Sequence, residues 1–121
     1  MEKSITTQNK VVLPKHLNDH DKLFGGKIME WMDEVAYITA TRSARKKMIT
    51  VSVRNIHFFR PAEKGHFIEV TGEVVKTGNA KMEIRVEMSL EERISGETVK
   101  AAEGLFVMAA VNEHYKPERI R

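Results

Sequence analysis

Residues 18–36 read Asn-Asp-His-Asp-Lys-Leu-Phe-Gly-Gly-Lys-Ile-Met-Glu-Trp-Met-Asp-Glu-Val-Ala, and this stretch decides the fold. A polar loop is followed by two glycines and then by an apolar segment that predicts a helix from about Gly26 to Ala44. Apolar residues cover more than one stripe of this helix, which indicates burial on most of its sides. Because glycine lacks a Cβ, Gly25 and Gly26 allow a tight turn and close approach to the backbone.

Asp33 lies two turns into the predicted helix, with apolar residues before and after it. A carboxylate in apolar surroundings is costly unless it is paired or used. We therefore expect Asp33 to be partly buried and to have a function. The alternative is a structural role, in which Asp33 binds a backbone group or a cation.

After residue 48 the apolar pattern changes to strict alternation, which predicts strands joined by tight turns. The predicted strands are residues 49–59, 66–76, 81–92 and 98–111, with hairpin turns at residues 77–79 and 95–97. A short strand at residues 10–13 precedes Pro14. The end of the last strand, residues 105–111, is apolar on both faces, so we expect it to be central and covered on both sides.

One helix and five strands predict an α+β fold in which an antiparallel sheet wraps around the helix and buries it. The chain reads as a single domain over residues 1–121, with a core at about residues 8–112 and a polar, projecting tail at residues 113–121. No second helix covers the other face of the sheet. Self-association, most simply as a two-fold dimer, is the expected solution.

Composition limits the classes of function. The chain has 121 residues, 41% of them apolar, a formal net charge of +3 and no cysteine. Disulfides and thiolate chemistry are therefore excluded. We expect no membrane span and no secretory leader, hence a cytoplasmic protein. The positive charge is too scattered for nucleic-acid binding but favours anionic ligands such as phosphates.

Several short motifs carry a family resemblance. They are Asn18, Leu23–Met29, Trp31–Ala36, Thr50-Val51, Phe59–Pro61 with Gly65, and Lys76–Gly78. With them the chain resembles the hotdog-fold acyl-CoA thioesterases of the YciA and brain acyl-CoA hydrolase type over roughly residues 8–112. The resemblance implies a five-stranded sheet around a central helix, with two subunits joined edge to edge. It also implies trimers of such dimers and an acyl-CoA site at the subunit interface.

The resemblance implies catalytic roles for Asn18 and Asp33, and the position of Gly26 at the helix start makes its backbone amide a third catalytic candidate. Asp33 would act as base or nucleophile, and Asn18 would orient the water or the thioester through its amide. The backbone N–H groups of Gly25 and Gly26 would polarise the carbonyl, because unpaired donors at a helix start stabilise an oxyanion.

Binding of CoA needs cations for its phosphates. Arg60, Lys76 and Lys81 are the candidate cations, Gly78 and Asn79 offer turn backbone groups, and Thr50 is a candidate contact of the pantetheine arm. The alternative for each is an exposed strand or turn residue without a ligand. No metal or organic cofactor is expected, since the histidines are scattered and no ligand cluster is apparent.

Three positions depart from the family pattern. The glycine usually found three residues after the asparagine is Asp21, the aspartate after the loop glycine is His66, and the serine after the Lys-Thr-Gly-x turn is Ala80. Asp21 affects the entrance loop and thus the acyl preference. His66 and Ala80 affect single CoA contacts but not the reaction.

Two other functions suit the same fold. A non-catalytic acyl-CoA-binding or sensor protein would bind ligand without turnover, and the presence of both Asn18 and Asp33 argues against it. A hotdog dehydratase would need a histidine paired with an acid in the helix region. Residues 25–44 contain no histidine, so this alternative ranks last.

Overall fold

The computed structural model describes residues 4–120 and shows the predicted α+β architecture. The elements are β1 (Ile5–Val11), a 3-10 turn (Pro14–His16), α1 (Gly25–Ala44), β2 (Lys47–Phe58), β3 (Phe67–Thr77), β4 (Lys81–Glu91) and β5 (Thr98–Val111). The strands form one sheet in the order β1-β3-β4-β5-β2, and every pairing is antiparallel. This is the hotdog arrangement, with α1 packed against the sheet.

Helix α1 presents one face to the sheet and the opposite face to solvent. Its buried residues are Ile28, Trp31, Met32, Val35, Ala36, Thr39, Ala40 and Ser43. Glu30, Asp33, Glu34 and Tyr37 are exposed. The expectation that the helix is buried on most sides is therefore wrong for the single chain. The candidate residue Asp33 lies on this exposed stripe.

Gly72 on β3 lets α1 approach the sheet closely. A Cβ built there would lie 2.7 Å from Thr39 Oγ1 and 2.9 Å from Val35 Cγ1, so any side chain would push the helix outward. The packing of α1 depends on this glycine.

The two faces of the sheet differ in chemistry. On β4, the residues from Met82 to Leu90 alternate between buried apolar side chains that face α1 and polar side chains that face away. The outer face carries ion pairs, including Arg85–Glu73 at 3.3 Å and Lys100–Glu87 at 2.9 Å. The outer face is therefore largely polar and does not need to be covered. The expectation of a dimer that rested on an uncovered apolar face is not supported. The buried end of β5, from Phe106 to Val111, is confirmed.

Strand β1 is longer and begins earlier than predicted. It runs from Ile5 to Val11 and pairs with β3, whereas the sequence favoured residues 10–13. Most of its side chains are polar, and it lies at the edge of the sheet. An edge strand can pair through its backbone without alternating apolar side chains. The hydrophobic pattern of residues 5–9 therefore did not predict a strand. The first three residues lie outside the described part of the chain.

The C-terminal segment folds back onto the sheet instead of projecting. The N–H of Glu118 donates to the carbonyl of Ala110 at 2.9 Å, and that of Ile120 donates to Asn79 at 2.7 Å. The side chain of Ile120 is buried in the core cluster. The predicted projecting tail is wrong, because one apolar residue in a polar segment has no detectable period.

Substitution of Ile120 by alanine is expected to destabilise the protein by about 2 kcal/mol, at the low end for a buried isoleucine because a terminal segment relaxes. Urea unfolding of the variant and of the wild type measures the difference. Ile94→Ala is the matched control, since Ile94 is 83% exposed. Equal unfolding midpoints for the two variants would show that residues 112–120 add nothing to the core.

No helix in the described part of the chain is long and apolar enough to cross a membrane.

Candidate active site

Asp33 is held by a residue of the neighbouring edge strand. The hydroxyl of Thr50 on β2 donates to Asp33 Oδ1 at 2.7 Å, and its oxygen lies 3.3 Å from Met108 Sδ. Thr50 was predicted to contact the pantetheine arm, but the structure places it on the carboxylate. One oxygen of Asp33 is thus oriented, while Oδ2 has no hydrogen-bond partner among residues 4–120.

The expected burial of Asp33 is wrong for the single chain, in which this residue is exposed. Its sequence neighbours Met32, Val35 and Ala36 point toward the sheet and are fully buried. Asp33 lies on the other side of α1, because neighbours in sequence occupy different faces of a helix. The carboxylate is therefore open to an incoming group.

The start of α1 leaves backbone donors uncovered. Phe24 is the N-cap and makes no side-chain hydrogen bond. In the described chain, nothing accepts a hydrogen bond from the N–H of Gly25 or Gly26. A Cβ built at either glycine would meet nothing within 4 Å, and neither glycine has a positive φ. Neither packing nor backbone conformation within the chain requires glycine at these two positions. A carbonyl group that approaches the two amides would require it, because a side chain would stand in its way.

Gly26 and Asp33 share one face of α1 but are not adjacent. Seven residues make about two helical turns, which separates them by about 10 Å along the axis. A single carbonyl group cannot be within bonding distance of both. The expectation that Asp33 lies a short reach from these amides is therefore wrong within one chain.

Asn18 shapes the loop that leads into the glycines. Its Oδ1 accepts hydrogen bonds from the N–H groups of His20 at 2.9 Å and Lys22 at 3.1 Å. Asp21 adopts a left-handed backbone with φ of 59°, a conformation that glycine, the residue expected here from the resemblance, adopts without strain. The Nδ2 group of Asn18 has no acceptor in the described residues, so it is available to donate.

The Asn18 loop borders an open cavity of about 490 Å³ that includes Lys22, Glu63 and Lys64. Lys22 Nζ donates to Glu63 Oε2 and lowers the pKa of that carboxyl by this hydrogen bond and by its charge. The N–H of Leu23 donates to the carbonyl of Ala62 at 2.8 Å. The loop is thus tied to the turn after β2.

His16 supports the same region. Its ring meets Trp31 edge-on at 5.2 Å between centroids, and its carbonyl accepts the N–H of Phe24 at 3.2 Å. Partial burial, together with the charges of Lys15 and Lys27, lowers the pKa of His16. Nδ1 accepts the N–H of Leu13, so His16 anchors the turn as a neutral side chain.

The structure brings together only part of the predicted CoA site. Lys76, Gly78 and Lys81 line one cavity of about 400 Å³, together with Ser52 and Arg54. Arg60 lines a different cavity beside His66. The carbonyl of Asn79 is occupied by the N–H of Ile120.

Arg54 was missed by the sequence reasoning. It lies 3.3 Å from Glu83 across the sheet, and the outward alternation of β2 was the signal that could have found it. Across residues 4–120, no three acidic, histidine or cysteine side chains come together as metal ligands.

Comparison with known proteins shows the family to which the chain belongs. A model of the thioesterase superfamily matches residues 20–97. The acyl-CoA thioester hydrolase YciA of Salmonella typhimurium is 32% identical over 120 residues, covering 93% of this chain and 90% of that protein. The crystal structure of an apo-hexameric acyl-CoA thioesterase has a TM-score of 0.94 at 34% identity, covering 98% of this chain and 76% of the other.

A Staphylococcus aureus acyl-CoA hydrolase, solved with butyryl-CoA and CoA, has a TM-score of 0.91 at 28% identity and covers 98% of this chain and 73% of its own. Alanine variants of that enzyme were characterised at an asparagine, an aspartate and a threonine. These have the order and spacing of Asn18, Asp33 and Thr50. The chain belongs to the thioesterase superfamily and, within it, to the hotdog-fold acyl-CoA thioesterases.

Proposed function

We propose that this protein hydrolyses acyl-CoA thioesters to a free carboxylic acid and CoA. The observation that carries the proposal is the exposed Asp33 carboxylate, oriented by Thr50 and free at Oδ2. The asparagine, aspartate and threonine substituted in the Staphylococcus aureus hydrolase support the same set of residues.

The chemistry has two routes through Asp33. As a base, Asp33 takes a proton from water, whose oxygen attacks the carbonyl carbon. As a nucleophile, Asp33 attacks the carbonyl itself, and water then hydrolyses the anhydride. In both routes the C–S bond breaks, the sulfur leaves with the electron pair, and CoA is released as the thiol after protonation.

We infer that each site combines two subunits. The Gly26 amide is about 10 Å along the axis from Asp33 of its own helix. Asp33 therefore acts on a carbonyl that is polarised by Gly26 of the partner subunit. Asn18 leads into the same glycines, so it acts with them. Thr50 lies on β2, an edge strand, and pairing of two such edges would join the sheets of a dimer.

The solved hexameric thioesterase supports assembly of such dimers in threes. Light scattering of the purified protein separates a dimer from a hexamer. We place the CoA phosphates in the cavity that Lys76, Lys81 and Arg54 line beside Gly78, where these three cations outnumber the one carboxylate of the lining, Glu83, which pairs with Arg54. The reaction needs no metal or organic cofactor, and we expect a cytoplasmic location.

Release of free CoA thiol from a panel of acyl-CoA substrates tests the proposal. A thioesterase turns over many substrate molecules per site. The alternative, an acyl-CoA sensor on the same fold, binds the same ligands in calorimetry but releases no thiol. Binding without turnover would overturn the proposed activity while leaving the family assignment intact.

Gly26→Ala is expected to separate stability from activity. A methyl group there meets nothing in the chain, and alanine favours a helix over glycine by up to about 1 kcal/mol, so the melting temperature should stay equal or rise. The same methyl occupies the space in front of the amide. We expect kcat/KM for acyl-CoA to fall about 100-fold, as on loss of an oxyanion donor.

Thermal melting and thiol release on the same preparation measure both effects of Gly26→Ala. Unchanged activity would remove the Gly26 amide from the site. A lowered melting temperature would show that a packing requirement, rather than substrate approach, explains the glycine.

A further inference from the structure

We propose that Tyr37 determines which acyl groups this enzyme accepts, by limiting the site to short chains. The inference rests on the proposed hydrolysis at Asp33. It concerns the part of the substrate that extends from the carbonyl carbon away from sulfur.

Tyr37 lies one helical turn after Asp33 on the exposed stripe of α1. Side chains four residues apart on a helix are neighbours, with Cβ atoms about 5–6 Å apart. The Tyr37 side chain is 50% exposed, so its ring stands on the outer surface of α1 rather than in the core. A group bonded to a carbonyl at Asp33 reaches this ring within a few atoms.

The helix offers no interior path for an acyl chain at this level. Met32, Val35 and Ala36 surround the base of Asp33 and are fully buried against the sheet. A core packed to this degree does not admit a chain without large rearrangement. The acyl group must therefore lie on the outer surface of α1.

Two ion pairs lie beside Asp33 on that surface. One turn earlier, Glu30 pairs with Lys27 at 3.1 Å, and toward β1, Glu34 pairs with Lys10 at 3.8 Å. An apolar chain laid over these pairs would strip water from them, which is unfavourable. Met29, four residues before Asp33, is packed against the core. The exposed ring of Tyr37 is therefore the apolar surface of α1 next to Asp33 that an acyl chain can cover without desolvating an ion pair, and its bulk limits the length of that chain.

Hydrolysis of acetyl-, butyryl-, octanoyl- and palmitoyl-CoA by the wild type, Tyr37→Ala and Tyr37→Phe tests the proposal. The wild type should prefer the two short substrates. In Tyr37→Ala, the ratio of kcat/KM for octanoyl-CoA to that for butyryl-CoA should rise about tenfold or more. Tyr37→Phe should keep the wild-type profile, because the ring rather than the hydroxyl sets the limit.

Tyr115→Ala is the matched control, since Tyr115 is also an exposed tyrosine but lies in the C-terminal segment, where its ring packs on Lys47. An equal change for all four substrates in Tyr37→Ala would mean that Tyr37 contacts the CoA part, and would overturn the proposal. So would an unchanged profile. A wild type that hydrolyses none of the substrates would instead overturn the proposed function itself.

Discussion

Asp33→Asn should lower kcat/KM for acyl-CoA hydrolysis by about 10²- to 10⁴-fold, the range expected for loss of a general base or more. Asparagine has the same shape and keeps an oxygen to accept the hydrogen bond from Thr50. It cannot take a proton from water or form the anhydride. The loss should therefore appear in kcat, with little change in KM, and thiol release under saturating substrate measures it.

Glu34→Gln provides the control for this substitution. Glu34 is the next residue on α1, is also exposed, and pairs with Lys10 at a distance of 3.8 Å. Removal of its charge changes the local charge as much as Asp33→Asn does. Wild-type kcat is expected for Glu34→Gln. Equal losses in both variants would indicate a general charge effect rather than chemistry at Asp33.

A randomly paired mixture of Asp33→Asn and Asn18→Asp subunits is expected to recover about a quarter of the wild-type activity, although each variant alone is nearly inactive. Random pairing makes half of the dimers mixed, and each mixed dimer has one of its two sites free of both substitutions. Aspartate at position 18 keeps the oxygen that accepts from Lys22 but loses the free amide donor. Two tags on co-expressed subunits verify that pairing is random, and thiol release by the unselected mixture measures the recovery.

The recovery distinguishes a shared site from one within a single chain. If Asn18 and Asp33 of the same chain worked together, every site in the mixture would carry one substitution. Activity would then stay at the average of the two parents. Mixing Asp33→Asn with the double variant is the control, because no arrangement of those subunits contains an unaltered site.

The secondary structure was largely predictable because its signals are local. A 3.6-residue period over residues 26–44 and alternation over residues 81–92 each report on neighbours within a few positions. The bounds predicted for the edge strand β1 were wrong, because its polar residues are held in the sheet by backbone hydrogen bonds to β3 and show no apolar alternation. Ile120 was missed for a similar reason: its core contacts lie far away in the sequence.

The candidate site divides in the same way. The residue types and their order predict Asn18, Gly26 and Asp33. The resemblance to the family is confirmed, and the roles of the three residues stay predictions. The surroundings of Asp33 were misjudged because apolar neighbours in sequence were taken for neighbours in space. Thr50 was assigned to the substrate, since nothing local indicates that β2 places its hydroxyl on the carboxylate.

By itself, the sequence determined one helix, the hairpin-linked strands and the motif that places the chain in its family, because periodicity and short motifs depend only on nearby residues. Only the tertiary structure decided that Asp33 faces outward and that Thr50 orients it. These facts depend on how α1 rotates against the sheet and on which strand forms its edge. Both are results of long-range packing, which no local pattern encodes.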